Sequence, residues 1–227
     1  MKVLELFSGT GSVGKVCKEY DWDVLSLDID ERADVVCDIL EWDYKTYPKD
    51  HFQMIWASPP CEKYSRLTYS NIGRKLKDGT VVTMDSILKG YEQGDILVKK
   101  TLEIINYFNP KVWFIENPQT GALKKRPFMK DIPFIDVDYC MFCDWGYRKR
   151  TRIWTNRGDL DTVLCDYKCG NVVRARGRLT GKNGFRHKTD VSWIKGSGWK
   201  RLDLRHRMPP DLLHYLFMGL DRIGEKS

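Results

Sequence analysis

Cys61, set behind two prolines in Ala57-Ser58-Pro59-Pro60-Cys61, is the residue of this sequence best placed for nucleophilic chemistry. The run His51-Phe52-Gln53-Met54-Ile55-Trp56 before it is apolar and short enough to be one buried strand. Two prolines then forbid further ladder pairing, so Cys61 is expected just past the strand's carboxyl end, on stiff backbone. In open α/β sheets ligands bind at that edge. A thiol held there can add to an electron-poor carbon, provided something lowers its pKa or receives the charge it pushes into its substrate. The alternative is a small buried cysteine beside a turn, and the neighbouring motifs decide between the two.

A second strand reading, Lys111-Val112-Trp113-Phe114-Ile115, closes on Glu116-Asn117-Pro118, which puts an acid on the same edge as Cys61 if the strands are parallel. Tyr147 to Trp154 reads as a further strand with Arg148, Arg150 and Arg152 on one face, because side chains alternate along a strand. Arginines so aligned are costly to bury without anions, so an acid, a phosphate or a base edge is expected beside them.

Other elements must position these groups. Val3 to Phe7 reads as a first buried strand, and Ser8-Gly9-Thr10-Gly11-Ser12-Val13-Gly14 opens a helix running to about Tyr20. The letters satisfy G-x-G-x-x-G, which suits a dinucleotide equally well. Asp23 to Asp28 is a second strand closing on an acid, in the place that commonly receives ribose hydroxyls. Val35 to Ile39 is a third, again with an acid, Asp38, at its end. A long polar connection over 62–94 carries Lys63, Arg66, Arg74, Lys75, Lys77 and Lys89, with Tyr64, Tyr69 and Tyr91 interspersed. That mixture suits nucleic acid, with charge on phosphates and rings on bases. Apolar periodicity then predicts a helix over 95–108, a strand over 134–140 and a last helix over 211–220, the last opened by Pro209-Pro210.

With 227 residues the chain can bury one sizeable core and a small appendage. A net charge of +7 favours polyanionic partners. Met1-Lys2 runs straight into a strand, and no apolar run reaches membrane-spanning length, so a cytoplasmic or nucleoid-associated protein is expected, with no membrane partner. Seven cysteines in a reducing compartment read as thiols or metal ligands rather than disulfides. Cys165, Cys169 and His187, with Cys140 or Cys143, could hold a structural zinc in a segment too polar for its own core.

Phe7-Ser8-Gly9-Thr10-Gly11, Ser58-Pro59-Pro60-Cys61, Glu116-Asn117-Pro118 and Arg148-Lys149-Arg150-Thr151-Arg152 occur in this order. That series resembles the cytosine-C5 DNA methyltransferases, especially their compact phage and large-virus members. The resemblance covers roughly residues 1–155 and returns at the helix near 209. It implies a Rossmann-like S-adenosylmethionine-dependent methyltransferase fold, a mostly parallel sheet with helices on both faces and a small loop-rich basic appendage. It divides the chain into a catalytic and cofactor-binding domain (1–155), the appendage (156–204) and a C-terminal helix returning to the catalytic domain (205–227). Cys61 would be the nucleophile, Glu116 would hold the base edge, and Arg150 and Arg152 would hold O2 and the Glu–Cys geometry. Phe7, Ser8, Gly9, Thr10, Gly11, Asp28, Ile29, Asp38, Ile39 and Pro59 would contact the cofactor. Lys63, Arg66, Arg74, Lys75 and Arg148 would contact double-stranded DNA, and no oligomer is expected. Arg148 stands where the family has Gln, Pro118 where Val is usual, Glu62 where Gln is usual, and Arg205-His206-Arg207 where Gly-Asn-Ser is usual. RNA and single-stranded substrates stay open, as does a catalytically inactive DNA-binding protein on the same fold.

Overall fold

β1 (Lys2–Leu6), β2 (Asp23–Asp28), β3 (Val35–Val36), β4 (Met54–Ala57), β5 (Val112–Pro118), β6 (Phe134–Asp138) and β7 (Arg150–Thr155) form one sheet in the order β3-β2-β1-β4-β5-β7-β6. The computed structural model describes residues 1–76, 78–175, 184–191, 194 and 203–220. β1 pairs in parallel with β2 and β4, β4 with β5 and β2 with β3, while β7 runs antiparallel to both of its neighbours. Chain order reverses between β1 and β4, so the crevice at the carboxyl ends of those strands is the topological switch point where such sheets bind ligands. The glycine turn follows β1, and Pro59-Pro60-Cys61 follows β4.

Helices cover both faces. α2 (Met84–Phe108) packs Ile87, Val98, Ile104 and Phe108 against Leu4, Leu6, Ile55 and Ala57. On the other face α1 (Ser12–Glu19) and α3 (Pro210–Phe217) pack on Val3, Met54, Trp56 and Phe114. Fully buried Phe217 anchors α3, with ring centroids 5.5 Å from Trp22, 5.9 Å from Phe114 and 6.2 Å from Trp56. Burying one such ring is worth about 1.5–3 kcal/mol. β8 (Val172–Arg174) and β9 (Phe185–His187) make a separate antiparallel pair.

Several elements depart from the sequence reading, among them β7, which begins at Arg150 rather than Tyr147 and leaves Arg148 off the strand. α2 begins at Met84 rather than Asp95, capped by a reciprocal Thr83–Ser86 box, so the connection after Cys61 is shorter than its polarity suggests. Its first turns bury Ile87, Tyr91, Gly94 and Asp95, a face that aliphatic periodicity does not show. β5 runs on through Glu116-Asn117-Pro118, with Pro118 admitted as the last residue opposite Thr151. β3 shrinks to Val35–Val36.

Candidate active site

The turn after β1 needs left-handed backbone at Gly9 (φ +47°) and Gly11 (φ +62°), which glycine adopts at no steric cost. Phe7 takes φ +57° without that licence, a strained aromatic at the mouth of the crevice. A Cβ at Gly11 would meet nothing within 4 Å, so that side of the turn is open. Gly14 is close-packed instead: a Cβ there would sit 2.9 Å from Glu5 Oε2, which accepts the Gly14 N–H at 2.9 Å. The Asp28 carboxylate accepts the Gly9 N–H at 2.8 Å and the Asp30 N–H at 3.0 Å. Ile29 beside it is 77% exposed, an apolar side chain turned largely to solvent. Ser8 and Thr10 lie in the turn, and Thr10 Oγ1 is 2.8 Å from Ser12 Oγ. Asp38 Oδ1 accepts the Leu40 N–H at 2.9 Å, whereas the Ile39 side chain is buried with Leu4, Leu27 and Trp42 and serves packing. The segment before α3 lies against the same turn: the Met208 N–H donates to Ser12 Oγ at 3.3 Å, and Arg32 meets Asp203 at 3.2 Å. Exposed Ile29 and the Asp28 carboxylate fit the flat ring and the ribose hydroxyls of an adenosyl cofactor, and the open glycine turn leaves room beside them for the rest of it.

Past β4, Asn117 Nδ2 donates to the Pro59 carbonyl at 2.9 Å, tying the Cys61 loop to β5. Cys61 caps a 3₁₀ turn, Glu62–Tyr64, whose last residue is its anchor. The Tyr64 ring is fully buried over Gly94, and its O–H donates to Asp95 Oδ1 at 2.9 Å, a carboxylate also clamped by Arg126. Glu116 is 7% exposed; its Oε1 accepts from Thr151 Oγ1 at 3.2 Å and lies 3.8 Å from Lys149 Nζ. Burial chiefly, and then the Glu116 charge, push the Cys61 thiol above its usual range, while Lys149 pulls it down. The thiol is therefore not a standing thiolate; its proton must leave when a substrate is ready to take the charge. His206 carries its pKa below the usual range through burial, then Lys149, with Glu116 and Glu62 opposing. Lys149 and His206 are thus site residues that motif matching passed over, both flanking positions that the motifs did name.

The arginine assignments need correction. In the ladder Arg150 stands opposite Asp138 and Arg152 opposite Asp136, on the face away from Glu116, which pairs with Ile153. Arg150 bonds Asp138 at 2.9 and 2.7 Å, and Arg152 bonds Asp136 at 2.8 and 2.9 Å while its guanidinium stacks 3.4 Å from the Phe134 ring centroid. The anions that the arginines require come from β6, and the cation beside Glu116 is Lys149. Tyr64 and Tyr91 are also reassigned: both are buried, 6.0 Å apart in a stack, and unavailable to bases. Lys63, Arg66, Arg74, Lys75 and Arg148 are all exposed, the last 5.2 Å from the Tyr167 ring centroid; Lys77 lies outside the described residues. Cys140, Cys165, Cys169 and His187 converge, whereas Cys143 turns away and donates to the Tyr139 carbonyl at 3.1 Å.

Glycine turn, acid-ended second strand and thiol loop at one switch point define an α/β protein of the cofactor-dependent transferase kind. No protein-family model matches the chain. A Frog virus 3 (isolate Goorha) protein described as "Probable DNA (cytosine-5)-methyltransferase" is 39% identical over 221 residues, 94% of this chain and 97% of its own length. The chain belongs to the DNA (cytosine-5)-methyltransferase family. Among solved structures, Entamoeba histolytica methyltransferase EhMeth has a TM-score of 0.46 at 15% identity, over 87% of this chain and 61% of that one. Spodoptera frugiperda DNMT2 has a TM-score of 0.44 at 16% identity, over 73% of this chain and 55% of that one. The sheet is that of a Rossmann-like methyltransferase, and among the described residues no helix is long and apolar enough to cross a membrane.

Proposed function

We propose that the chain methylates C5 of cytosine in double-stranded DNA through a covalent bond from Cys61 to C6. The observation that carries this reading is the placing of Cys61 and Glu116 at neighbouring strand ends, within electrostatic reach of each other, in a chain of this family. S-adenosylmethionine, held by Phe7 to Gly11, Asp28, Ile29 and the Asp38 loop, supplies an electrophilic methyl group when bound. Cys61 Sγ gives up its proton and bonds C6, which pushes electron density onto C5. Glu116 holds the N3 and amino edge, where part of that charge develops. Lys149 keeps Glu116 oriented and shifts the thiol toward thiolate, the work expected of an arginine. Once methylated, C5 gives up its proton to solvent water, and the electron pair left behind re-forms the C5–C6 double bond and expels the Cys61 thiolate, which frees the enzyme. The target base must leave the duplex to reach Cys61, and Lys63, Arg66, Arg74, Lys75 and Arg148 supply exposed charge for the phosphates on either side. The cluster of three cysteines and a histidine takes no part in this chemistry.

The test is transfer of a labelled methyl group to unmethylated duplex DNA, followed by bisulfite sequencing, with Cys61→Ser beside the wild type. The reading expects 5-methylcytosine from the wild type alone. Incorporation by Cys61→Ser at the wild-type rate, DNA retention without incorporation, or a preference for RNA or single strands would overturn it.

A further inference from the structure

We propose that Cys140, Cys165, Cys169 and His187 bind one structural zinc ion, and that the ion pins the segment after β7 to the strand ends that carry Lys149. The four ligand atoms lie within 4.8 Å of one another. They come from three places: the 3₁₀ turn Tyr139–Met141 after β6, the loop before β8, and the last residue of β9. Cys165 Sγ is 3.4 Å from Cys169 Sγ, and each is 3.5 Å from His187 Nε2. A tetrahedral zinc with Zn–S of about 2.3 Å and Zn–N of about 2.0–2.1 Å has S···N edges near ~3.5 Å and S···S edges near ~3.8 Å. Three of the four atoms are therefore already spaced for the ion, with Cys140 Sγ within 4.8 Å of each of them, and Cys165 and Cys169 are too far apart for a disulfide, whose sulfurs sit about 2.05 Å apart. All of these cysteines are free.

Donor chemistry selects the metal. Three sulfurs and an imidazole, with no carboxylate among them, suit zinc and exclude calcium or magnesium. Four protein ligands leave no open position, so the ion is structural and not a Lewis acid. A second observation points the same way. The Tyr167 N–H donates to Cys165 Sγ at 3.3 Å, two residues after the cysteine. Tyr167 takes φ +71° to do so, a strained value for an aromatic residue. A neutral thiol is a weak acceptor, whereas a metal-bound thiolate collects such donors.

What the ion would hold is visible in the surrounding bonds. The Cys165 N–H donates to Asp138 Oδ2 at 2.9 Å, the carboxylate that clamps Arg150. Buried Asn171 donates to the Cys140 carbonyl at 3.1 Å and accepts the Gly146 N–H at 3.0 Å, stitching loop to loop. Cys140 directly follows Tyr139, whose hydroxyl is 3.4 Å from Lys149 Nζ and whose ring lies beneath it at 4.8 Å. Segment 156–191 is polar in sequence, and metal binding can supply folding free energy that a small apolar core does not. The inference stands apart from the methyltransferase reading, since metal content is measured without DNA or cofactor.

The experiment is elemental analysis of the full chain, purified under reductant from zinc-supplemented cells, together with cobalt substitution. The expected result is about one zinc per chain and a cobalt spectrum of tetrahedral thiolate type. Cys169→Ser should lower zinc affinity at least about tenfold, His187→Cys should keep the ion, and Cys143→Ser should leave content unchanged. Wild-type protein without zinc, an intact mass showing a Cys165–Cys169 disulfide, or equal loss on Cys143→Ser would overturn the proposal. The wild-type stoichiometry and the cobalt spectrum decide it even if Cys169→Ser fails to fold.

Discussion

Replacing Asp138 by Asn tests whether Arg150 is a structural cation. Asp138 is fully buried, and its two oxygens accept from Arg150 Nε at 2.9 Å, Arg150 Nη2 at 2.7 Å and the Cys165 N–H at 2.9 Å. The amide keeps the shape and one acceptor oxygen but removes the charge that faces the guanidinium. Breaking a buried pair from one side costs about 3–5 kcal/mol, because the remaining charge is left uncompensated. The Arg150 side chain keeps 30% of its exposure, and with it some hydration, so the loss belongs near the lower bound, about 3 kcal/mol. At about 2–4 °C per kcal/mol for a chain of this size, the thermal midpoint falls by roughly 6–12 °C. Urea unfolding of Asp138→Asn, Arg150→Met and the double variant closes a thermodynamic cycle, and the double variant should lose less than the sum of the singles. A loss below about 1 kcal/mol, or strict additivity, would refute the assignment and return Arg150 to the base-contacting role.

Two further outcomes follow from perturbed acids. Burial lifts the Glu5 carboxyl from 4.5 to about 7, against N–H bonds from Gly14 and Val13 that pull it down. The folded state therefore holds this proton more tightly than the unfolded chain, so the contribution is fully present below about 4.5 and lost as pH rises through about 7. The full span is about 3 kcal/mol; urea midpoints of wild type and Glu5→Gln should diverge across that window, and parallel curves would refute it. The raised Cys61 thiol should alkylate slowly at neutral pH in the free protein, with the rate climbing about tenfold per pH unit below its pKa. Glu116→Gln should speed iodoacetamide labelling and Lys149→Met should slow it; the reverse order would contradict the electrostatics of the site.

Much of the frame was readable from local pattern. Short apolar runs closed by Gly-x-Gly, Pro-Pro or Glu-Asn gave the parallel strands and their ligand-bearing ends, because strand burial and chain stiffness are local properties. Cys165, Cys169 and His187 were also legible as a group of donors, whereas the choice between Cys140 and Cys143 depended on how the loops between them run. Long-range register was not. Nothing near Arg150 or Arg152 in the chain announces that Asp138 and Asp136 will stand directly opposite them, and that pairing decides which cation remains for Glu116. The early start of α2 was hidden for a different reason: Gly94 is there to admit the Tyr64 ring, 2.8 Å from where a Cβ would be, and such a face carries no aliphatic signal.

A DNA duplex carrying 5-fluorocytosine tests the central claim most directly, because fluorine at C5 cannot leave as a proton does and the C6–S bond is then trapped. Incubated with S-adenosylmethionine, the wild-type chain should form a denaturant-stable protein–DNA adduct, and peptide mass mapping should place it on Cys61. An adduct on another residue, or turnover of unmodified DNA with no adduct on the fluorinated duplex, would contradict covalent catalysis by this thiol.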